Sequence, residues 1–351
     1  MSAPLRIAVV AGNGIGPEIT AATQRVLEAT GLSFDWVPVA VGDEAVALHG
    51  HPLPQESVRR LHEIGVVLKG PLIVEKLKGR IICRHADGTE HVYPSLNNAL
   101  RRELRLFVNP RPLRGMGTLS SRWADLDIVI MREVTEDVYA GLERTVDEDR
   151  SEAIKLTTRS AALRVARYSF EFARKNGRRR VTCAHKANVL GLTDGLFLNC
   201  CREVAAEFPD IVFDDCMIDA TAYALVKTPQ RFDVIVTSNQ YGDILSDLGA
   251  GLVGSLGLAP GANIGEAGAM FEASHGAAPD IAGKGIANPI ALILSGALLL
   301  RHVGAVRQAE IVETAVRATV IDGKTLTPDL GGRATTEALT GEICARVRST
   351  T

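Results

Sequence analysis

The chain has 351 residues, of which 46% are hydrophobic and 23% are charged, and its formal net charge at pH 7 is −2. This length predicts two domains, each large enough to bury a core of its own. The nearly balanced charge excludes a general electrostatic attraction to nucleic acid or to an anionic membrane. The longest apolar stretch, Pro289–Leu300, is too short to cross a bilayer, and the N-terminus is unlike a signal or transit peptide. We therefore expect a cytoplasmic protein without nucleic-acid or membrane partners.

Short runs of β-branched residues alternate with segments of helical period, which is typical of an α/β fold. The predicted strands are Arg6–Val10, Val66–Lys69, Asp127–Met131, Arg180–Ala184 and Asp233–Thr237. The predicted helices are Pro17–Thr30, Arg159–Asn176, Leu196–Phe208 and Pro289–Val303. A basic segment, Glu75–Tyr93, predicts a hairpin of two short extended runs around the turn Asp87-Gly88. The glycine-rich span Gly249–Gly268 is expected to form an irregular loop.

A glycine run follows the first predicted strand. Gly12, Gly14 and Gly16 are spaced GxGxG, and Pro17 comes next, so the third glycine of the dinucleotide fingerprint GxGxxG is missing. The spacing favours a tight strand-to-helix turn over a Rossmann site.

Two aspartates give the sharpest chemical signal. Asp243 and Asp247 are four residues apart, so a helix would place both carboxylates on one face, where they repel each other unless a cation lies between them. A hard divalent cation with oxygen ligands suits this arrangement, and Asp219 offers a third carboxylate. A solvated acidic helix face is the other interpretation, and the residue pattern leaves both open.

Three arginines supply the opposite charge. Arg101, Arg111 and Arg132 each lie near the edge of a predicted strand or helix. A guanidinium group binds a carboxylate or a phosphate through two parallel hydrogen bonds. Taken singly, each arginine would be interpreted as a surface salt-bridge partner. Together with three acidic residues, they indicate a polyanionic substrate bridged by a metal ion.

Two further side chains could transfer protons. Lys186 follows the predicted strand that ends at Ala184, and desolvation there would let it act as a base. Tyr139 is either a proton donor or a core phenol, and its sequence context alone favours the core. His185 and His275, considered alone, are weak candidates for metal ligands.

Nine segments occur in a characteristic order. They are AGNGIGPEI (11–19), LKGPL (68–72), SLNNALR (95–101), NPRP (109–112), REVTEDVYAGLE (132–143), HKAN (185–188), MIDA (217–220), YGDILSDL (241–248) and HGAAPDIAGKGIANP (275–289). In this order they resemble the β-decarboxylating dehydrogenases, the family of isocitrate, isopropylmalate, homoisocitrate and tartrate dehydrogenases. Within this family the resemblance is strongest to the NAD-dependent isocitrate dehydrogenases, and it covers nearly the whole chain.

The resemblance implies a two-domain α/β fold that is not a Rossmann fold, with the active-site cleft between the domains. Residues 1–106 and 254–351 would form the large cofactor-binding domain. Residues 107–253 would form the small domain, which carries the dimer interface and the metal ligands. The resemblance also implies a homodimer with shared active sites, because the family's counterparts of Lys186 and Asp219 reach into the site of the neighbouring subunit.

The implied reaction is the oxidative decarboxylation of a 3-substituted malate, with isocitrate as the first candidate and 2-oxoglutarate as its product. Arg101, Arg111 and Arg132 would bind the malate carboxylates. Asp243, Asp247 and Asp219 of the partner subunit would hold Mg²⁺ or Mn²⁺. Lys186, with Asp219 beside the metal, would relay the hydroxyl proton during hydride transfer, and Tyr139 would protonate the enolate that remains after CO₂ leaves.

The resemblance places the nicotinamide cofactor on the segment His275–Asn288 and on a residue further along the chain. The candidate contacts are His275, Gly276, Ala278, Asp280, Ile281, Asn288 and Asp329. Asp280-Ile281 stands where NADP-using relatives carry Lys-Tyr, and an acidic side chain can accept hydrogen bonds from ribose hydroxyls while repelling a 2′-phosphate. The segment Thr327–Gly332 also lacks the Tyr and Arg that would hold that phosphate. NAD is therefore the expected cofactor.

The third substituent of the substrate is less certain. Ser95 and Asn97 resemble the isocitrate-type pattern, in which such a pair binds the γ-carboxylate. The segment after Pro71, however, is longer and more basic than the family pattern, with Lys76, Lys78, Arg80, Arg84, His85 and His91. It is interpreted either as an exposed β-arm or as a cover for a group more anionic than a carboxylate, such as a phosphonate. Homoisocitrate and tartrate are further alternatives.

Three smaller departures from the family pattern are Asn13 for an Asp, Val134 for an Asn and Gln240 for an apolar residue. An alternative of another class is a non-catalytic regulatory subunit, because hetero-oligomeric members of the family contain such chains. The joint presence of Tyr139 and Lys186 with all three aspartates argues against that role. Dehydrogenation without loss of CO₂ is a further possibility.

Overall fold

The computed structural model describes residues 3–73, 80–84, 87–117 and 123–350. Within these ranges the chain forms 14 β-strands and 11 α-helices. The strands are β1 (Leu5–Val10), β2 (Phe34–Pro38), β3 (Val66–Lys69), β4 (Ile81–Arg84), β5 (Glu90–Tyr93), β6 (Leu106–Arg114), β7 (Asp127–Glu133), β8 (Glu143–Asp147), β9 (Arg150–Ala153), β10 (Arg180–His185), β11 (Val212–Met217), β12 (Val234–Thr237), β13 (Pro260–Gly265) and β14 (Ala269–Ala273). The helices are α1 (Gly16–Glu28), α2 (Asp43–His49), α3 (Gln55–Ile64), α4 (Leu96–Glu103), α5 (Arg159–Lys175), α6 (Thr193–Ala205), α7 (Ile218–Lys227), α8 (Asn239–Val253), α9 (Ile290–His302), α10 (Val306–Asp322) and α11 (Thr336–Thr350).

Ten of the described strands form one mixed sheet in the order β11-β10-β12-β7-β6-β13-β14-β3-β1-β2. The strands on both sides pair in parallel, whereas β6 pairs antiparallel with β7 and β13, and β13 with β14. Parallel neighbours end at the same edge of a sheet, which is where α/β proteins collect polar side chains. Lys69 of β3 is thereby placed directly opposite Glu272 of β14.

Helix α9 lies in the core and is apolar on all sides, as expected for a helix surrounded by other elements. Ile290, Ile293 and Leu300 belong to one buried cluster, and Ala291 and Leu299 belong to another. The predicted buried helix is therefore confirmed. In the described part of the chain, no helix has the length and apolarity that a membrane span requires.

The predicted α/β fold is confirmed, and each predicted strand and helix is present with ends that differ by at most three residues. The irregular loop expected over Gly249–Gly268 is wrong, because α8 continues to Val253 and β13 begins at Pro260. The glycines there reflect close packing. A Cβ on Gly249 would lie 2.2 Å from Leu113, and one on Gly265 would lie 2.8 Å from the backbone oxygen of Arg105.

The basic segment contains the predicted hairpin, since β4 and β5 pair antiparallel in a sheet of their own. Its inner side chains Ile81, Cys83 and Tyr93 are buried, and the Tyr93 hydroxyl donates to Glu103 at the end of α4 (2.7 Å). The hairpin is therefore packed onto the fold along one face. Three of its basic residues, Lys76, Lys78 and His85, lie outside the described residues.

The glycine run forms the predicted tight turn between β1 and α1, and no dinucleotide cradle. Gly12 and Gly14 have positive φ angles of 77° and 62°, which only glycine adopts easily. The backbone N–H of Asn13 donates to Pro71 (3.0 Å) and that of Ile15 to Ala277 (2.9 Å), so neighbouring carbonyls occupy these donors. A Cβ on Gly14 would lie 2.0 Å from the Ala277 oxygen.

The contacts of Asn13 explain why an asparagine stands where the family pattern has an aspartate. Its side chain donates to the Asp43 carboxylate (2.9 Å) and accepts from the backbone N–H of Ile73 (2.7 Å). An aspartate at position 13 would face another carboxylate without a donor between them. Asn13 thus links the glycine turn to Ile73, shortly before the basic segment.

Candidate active site

A cleft of about 460 Å³ opens where β3, β7 and β14 end, beside the start of α4 and the first half of α8. The sequence-predicted residues that line it are Ser95, Asn97, Arg101, Arg111, Arg132, Tyr139, Asp243, His275 and Gly276. The predicted residues outside its lining are Lys186, Asp219, Asp247, Ala278, Asp280, Ile281, Asn288 and Asp329. The fold therefore gathers the predicted substrate residues and one acid into a single cleft.

The three predicted arginines are all buried, and each comes from a different element. Arg101 lies on α4, Arg111 on β6 and Arg132 on β7, and their exposed fractions are 8%, 6% and 2%. Burial, together with the charges of Arg101 and Arg111, lowers the pKa of Arg132 to about 9, which leaves it protonated at neutral pH. Buried guanidiniums at the wall of a cleft form a strong binding site for carboxylates.

Gly242 makes room for Arg132. A Cβ at this position of α8 would lie 2.6 Å from both Cβ and Cγ of Arg132. The glycine before Asp243 is therefore required by side-chain packing, since the helix must approach β7 closely for the acid to meet the arginine.

Asp243 and Asp247 lie on one face of α8, as predicted, and both contact arginines. Asp243 accepts from Arg132 and from the Tyr139 hydroxyl (3.1 Å), and Arg111 reaches Asp247 at 3.4 Å. Burial raises the pKa of Asp247, Arg111 lowers it, and the nearby Asp243 carboxylate raises it to a smaller extent. The arginines therefore offset part of the repulsion expected between two acids at this spacing.

Tyr139 faces the cleft beside Asp243, so the core-phenol interpretation is wrong. The residue follows Asp137, whose backbone has a positive φ of 70° at the start of a short 3-10 turn. Partial burial and the Asp243 carboxylate raise the pKa of Tyr139, which keeps the phenol protonated at neutral pH. A protonated phenol at the cleft wall has the chemistry of a proton donor.

Ser95 and Asn97 form the other end of the cleft. Ser95 is the N-cap of α4, where its hydroxyl accepts from the N–H of Asn98 (3.2 Å). The side-chain oxygen of Asn97 is buried without a hydrogen-bond partner within the described residues. Because a buried polar atom without a partner is costly, this oxygen marks a position where a ligand would complete the site.

Sequence reasoning missed two charged residues of the cleft, Lys69 and Glu272. They form a buried ion pair, and Arg101 also reaches Glu272 at 3.2 Å. Although burial alone would raise the pKa of Glu272, Lys69 and Arg101 lower it well below its usual range. A charged residue inside the otherwise apolar strands VVLK and AMFEA was the available signal, because buried charges occur in pairs.

Lys186 and Asp219 lie together on a separate, exposed surface. The Lys186 ammonium donates to the Asp219 carboxylate (2.7 Å), and this hydrogen bond lowers the pKa of Asp219. Their side chains are 26% and 65% exposed. Within one chain, the described residues contain no group of three side chains that could hold a metal ion. A metal ion held by Asp243 and Asp247 would require a further protein ligand from outside the described chain.

The predicted cofactor residues follow β14. His275 and Gly276 line the cleft, while Ala278 and Ile281 pack against a buried apolar cluster and Asp280 is exposed. The remaining two are joined by a hydrogen bond, because the Asn288 amide donates to Asp329 (3.0 Å). The segment thus leads from the cleft to Asp329.

Comparisons with known proteins agree with this architecture. The sequence pattern described as isocitrate/isopropylmalate dehydrogenase matches residues 6–347. The chain belongs to the isocitrate/isopropylmalate dehydrogenase family. The predicted family and its non-Rossmann, two-domain fold class are therefore confirmed.

Relatives in this family differ in name but are similarly close in sequence. A protein named isocitrate dehydrogenase [NAD] catalytic subunit 5, mitochondrial, from Arabidopsis thaliana is 45% identical, over 97% of this chain and 88% of that protein. A 3-isopropylmalate dehydrogenase from Archaeoglobus fulgidus is 46% identical, over 97% and 98%. The crystal structure of isocitrate dehydrogenase from Methylococcus capsulatus superposes with a TM-score of 0.90 at 43% identity, covering 98% of this chain and 99% of that one. Overall identity therefore leaves the substrate open between two members of this family of decarboxylating dehydrogenases.

Proposed function

We propose that the protein catalyses the NAD-dependent oxidative decarboxylation of a 3-substituted malate, with isocitrate as the first candidate. The observation that carries this proposal is the cleft in which three buried arginines face Asp243 and Tyr139. The arginines supply sites for carboxylates, the acid supplies a metal ligand and the phenol supplies a proton. Isocitrate brings three carboxylates and one hydroxyl to such a cleft.

A divalent cation fits the residues present on α8. Asp243 and Asp247 offer oxygen ligands from one helix face, and burial raises the pKa of Asp247, so a cation beside it would favour the ionised carboxylate. We infer that the third protein ligand is Asp219 of the partner subunit, since one described chain provides only two at this place.

We assign the following roles to the chain's own residues. Arg101, Arg111 and Arg132 orient the substrate through its carboxylates. Lys186, extending from the other subunit, relays the hydroxyl proton by passing one of its own to Asp219 or solvent as it takes up that of the hydroxyl, and Tyr139 donates a proton to C3 after CO₂ has left. When bound, NAD would take the hydride and Mg²⁺ or Mn²⁺ would polarise the hydroxyl and stabilise the enolate charge.

NAD as cofactor is supported by Asp280 and by the names of relatives. Asp280 is exposed, so its carboxylate is available to ribose hydroxyls and would repel a 2′-phosphate. The relatives from Arabidopsis thaliana, Drosophila melanogaster and other organisms carry NAD in their names. The double variant Asp280→Lys, Ile281→Tyr is expected to shift cofactor preference toward NADP, and an unchanged preference would contradict this assignment of the cofactor segment.

A homodimer with shared sites is supported by apolar exposure around Lys186 and Asp219. Leu192 is 91% exposed, Val189 68% and Tyr223 70%, and all three flank this ion pair in sequence. Contiguous exposed apolar side chains indicate a protein interface. A second copy of the chain would cover this surface and receive Lys186 in its cleft.

Isocitrate is preferred over a phosphonate analogue because the described basic residues of the hairpin do not line the cleft. Arg84 pairs with Glu90, and Arg80 donates to the carbonyl oxygen of Gly141 (3.2 Å). Both arginines line a separate cavity of about 730 Å³ between the hairpin and α3. Homoisocitrate, tartrate and a phosphonomethylmalate remain alternatives with the same chemistry.

We also propose the domain division given above and a cytoplasmic location. The boundary at residues 106 and 107 falls at the start of β6, and the boundary at residues 253 and 254 falls at the end of α8.

A substrate panel tests the proposed function. The purified chain is assayed with NAD and Mn²⁺ on isocitrate, homoisocitrate, isopropylmalate, tartrate and phosphonomethylmalate, following both NADH and released CO₂. The expected result is the highest kcat/KM for isocitrate, with CO₂ equal to NADH. NADH without CO₂ would indicate simple dehydrogenation, and no turnover of any malate would favour the regulatory-subunit alternative.

A further inference from the structure

The three arginines of the cleft share one feature that the sequence motifs do not reveal. Each Nε–H is held by the side-chain oxygen of an asparagine. Arg101 donates to Asn263 (3.1 Å), Arg111 to Asn109 (2.6 Å) and Arg132 to Asn239 (3.0 Å). The three asparagines are 0%, 1% and 0% exposed, so they are fully enclosed by the protein.

The asparagines are themselves fixed by their amide groups. Asn239 donates to the carbonyl of Glu136 (3.1 Å), and Asn109 donates to the carbonyl of Ala262 (2.7 Å). Asn263 donates to Glu272 (2.7 Å). Each side-chain oxygen is thereby directed at the Nε–H of its arginine. With Nε bound in this way, the terminal nitrogens of the guanidinium remain available for other acceptors.

The asparagine partners carry no charge. Each arginine already contacts a carboxylate, which is Glu272 for Arg101, Asp247 for Arg111 and Asp243 for Arg132. A second carboxylate in place of an asparagine would still accept from the Nε–H, but it would weaken the positive charge that attracts an anionic substrate. An amide oxygen fixes the direction of the guanidinium without adding negative charge.

We propose that Asn109, Asn239 and Asn263 are positioning residues that aim the three arginines at the substrate carboxylates without adding negative charge beside them. This inference rests on the proposed substrate class of the cleft.

Asn239 offers the sharpest test, because it binds Arg132 through both Nε and Nη2 (2.8 Å) and begins helix α8. An aspartate there would keep the acceptor for Arg132, and negative charge at a helix start is favourable. We compare Asn239→Asp and Asn239→Ala with Asn176→Asp. Asn176 also donates its amide to a backbone carbonyl, that of Phe172 (2.9 Å), but lies at the exposed end of α5.

Binding of malate, the fragment common to all candidate substrates, is measured by calorimetry together with the thermal midpoint and steady-state kinetics. We expect Asn239→Asp to bind malate at least about tenfold more weakly than the wild type, and Asn239→Ala to bind it only about threefold more weakly. Both variants lose the amide donation to the Glu136 carbonyl, so both thermal midpoints should fall. Asn176→Asp should bind like the wild type. If Asn239 only held the structure, the order would be reversed, because aspartate preserves the acceptor and alanine removes it.

Equal malate affinity in Asn239→Asp and the wild type would overturn the proposal, as would a wild type that binds no malate. A wild type that binds malate but turns over no substrate would contradict the proposed reaction and leave the asparagine assignment supported by the same order of affinities. Should Asn239→Asp not fold, Asn109→Asp and Asn109→Ala beside Arg111 carry the same comparison with the same expected order.

Discussion

The two halves of the proposed site are built very differently. The arginines of the cleft are buried, hydrogen-bonded to asparagines and paired with carboxylates of the same chain. Lys186 and Asp219 form an ion pair at the surface and are flanked in sequence by exposed apolar residues. One chain completes the first half of the site, whereas we propose that a partner subunit completes the second.

This difference assigns substrate binding to the cleft and part of the catalytic chemistry to the exposed half. Charged groups in the cleft are pre-organised, so the orientation of a polycarboxylate costs little rearrangement there. The groups proposed to move the hydroxyl proton and to complete the metal site come from the exposed half. Substrate affinity should therefore depend on the single chain, and turnover should depend on the assembly.

Asp243 contacts both Arg132 and Tyr139 and is a proposed metal ligand, so its loss is expected to have the largest effect. Asp243→Asn removes one charge from the proposed metal site and from the contacts of Arg132 and Tyr139. We expect kcat with saturating Mn²⁺ to fall by about 10³-fold. The control is Asp210→Asn, which removes an exposed partner of Arg174 and should leave kcat unchanged. Full activity of Asp243→Asn would exclude the carboxylate from catalysis.

A charge introduced on the exposed surface near Asp219 should dissociate the proposed dimer without changing substrate binding in the cleft. Tyr223→Glu on α7 is expected to shift the protein to monomer in sedimentation velocity and to lower kcat by about 10²-fold, while malate still binds. Leu48→Glu is the matched control, since Leu48 is 64% exposed on α2. A monomeric Tyr223→Glu enzyme with normal kcat would show that one chain is sufficient.

The close approach of α8 to β7 predicts a defect confined to binding. Gly242→Ala would force Arg132 to shift, and we expect KM for the substrate to rise about tenfold with a smaller change in kcat. Gly251→Ala on the same helix meets nothing within 4 Å and should only stabilise the helix, by at most about 1 kcal/mol. An equal KM in both variants would contradict the packing argument.

The smallest expected effect concerns pH. Burial lowers the pKa of His275, and its Nε2 has no hydrogen-bond partner in the described chain. The folded state therefore binds a proton less readily than the unfolded state, so stability should fall as pH drops below about 6.5. His275→Asn should reduce the loss of thermal midpoint between pH 7.5 and 5.5 by about 1–2 °C. An identical pH dependence in the wild type and His275→Asn would contradict this.

The sequence predicted much of this fold because periodicity and local signals agree along the chain. β3 was predicted with its observed ends, and α5 was predicted from its apolar stripe and its end near Gly177. The prediction of a loop over Gly249–Gly268 was wrong because the sequence alone does not distinguish a glycine required by close packing from a glycine required by a turn. Only the position of Leu113 distinguishes the two.

The site was predictable where a motif carries the chemistry itself and unpredictable where residues act on one another. Arg101 and Tyr139 could be named from their segments, whereas Lys69 and Glu272 become partners only through the register of β3 and β14. The asparagines behind the arginines are the extreme case. Asn263 is 162 residues from Arg101, and nothing local to either residue indicates their contact.

A hybrid dimer tests the central claim most directly. Tyr139→Phe and Lys186→Met chains are co-expressed with different tags, and the hybrid is purified through both. If each site takes Tyr139 from one subunit and Lys186 from the other, one site of the hybrid is intact and the other carries both defects. The account predicts about half of the wild-type kcat per dimer, far above either parent variant. A hybrid as inactive as its parents would show that Tyr139 and Lys186 act within one chain and would contradict the shared site.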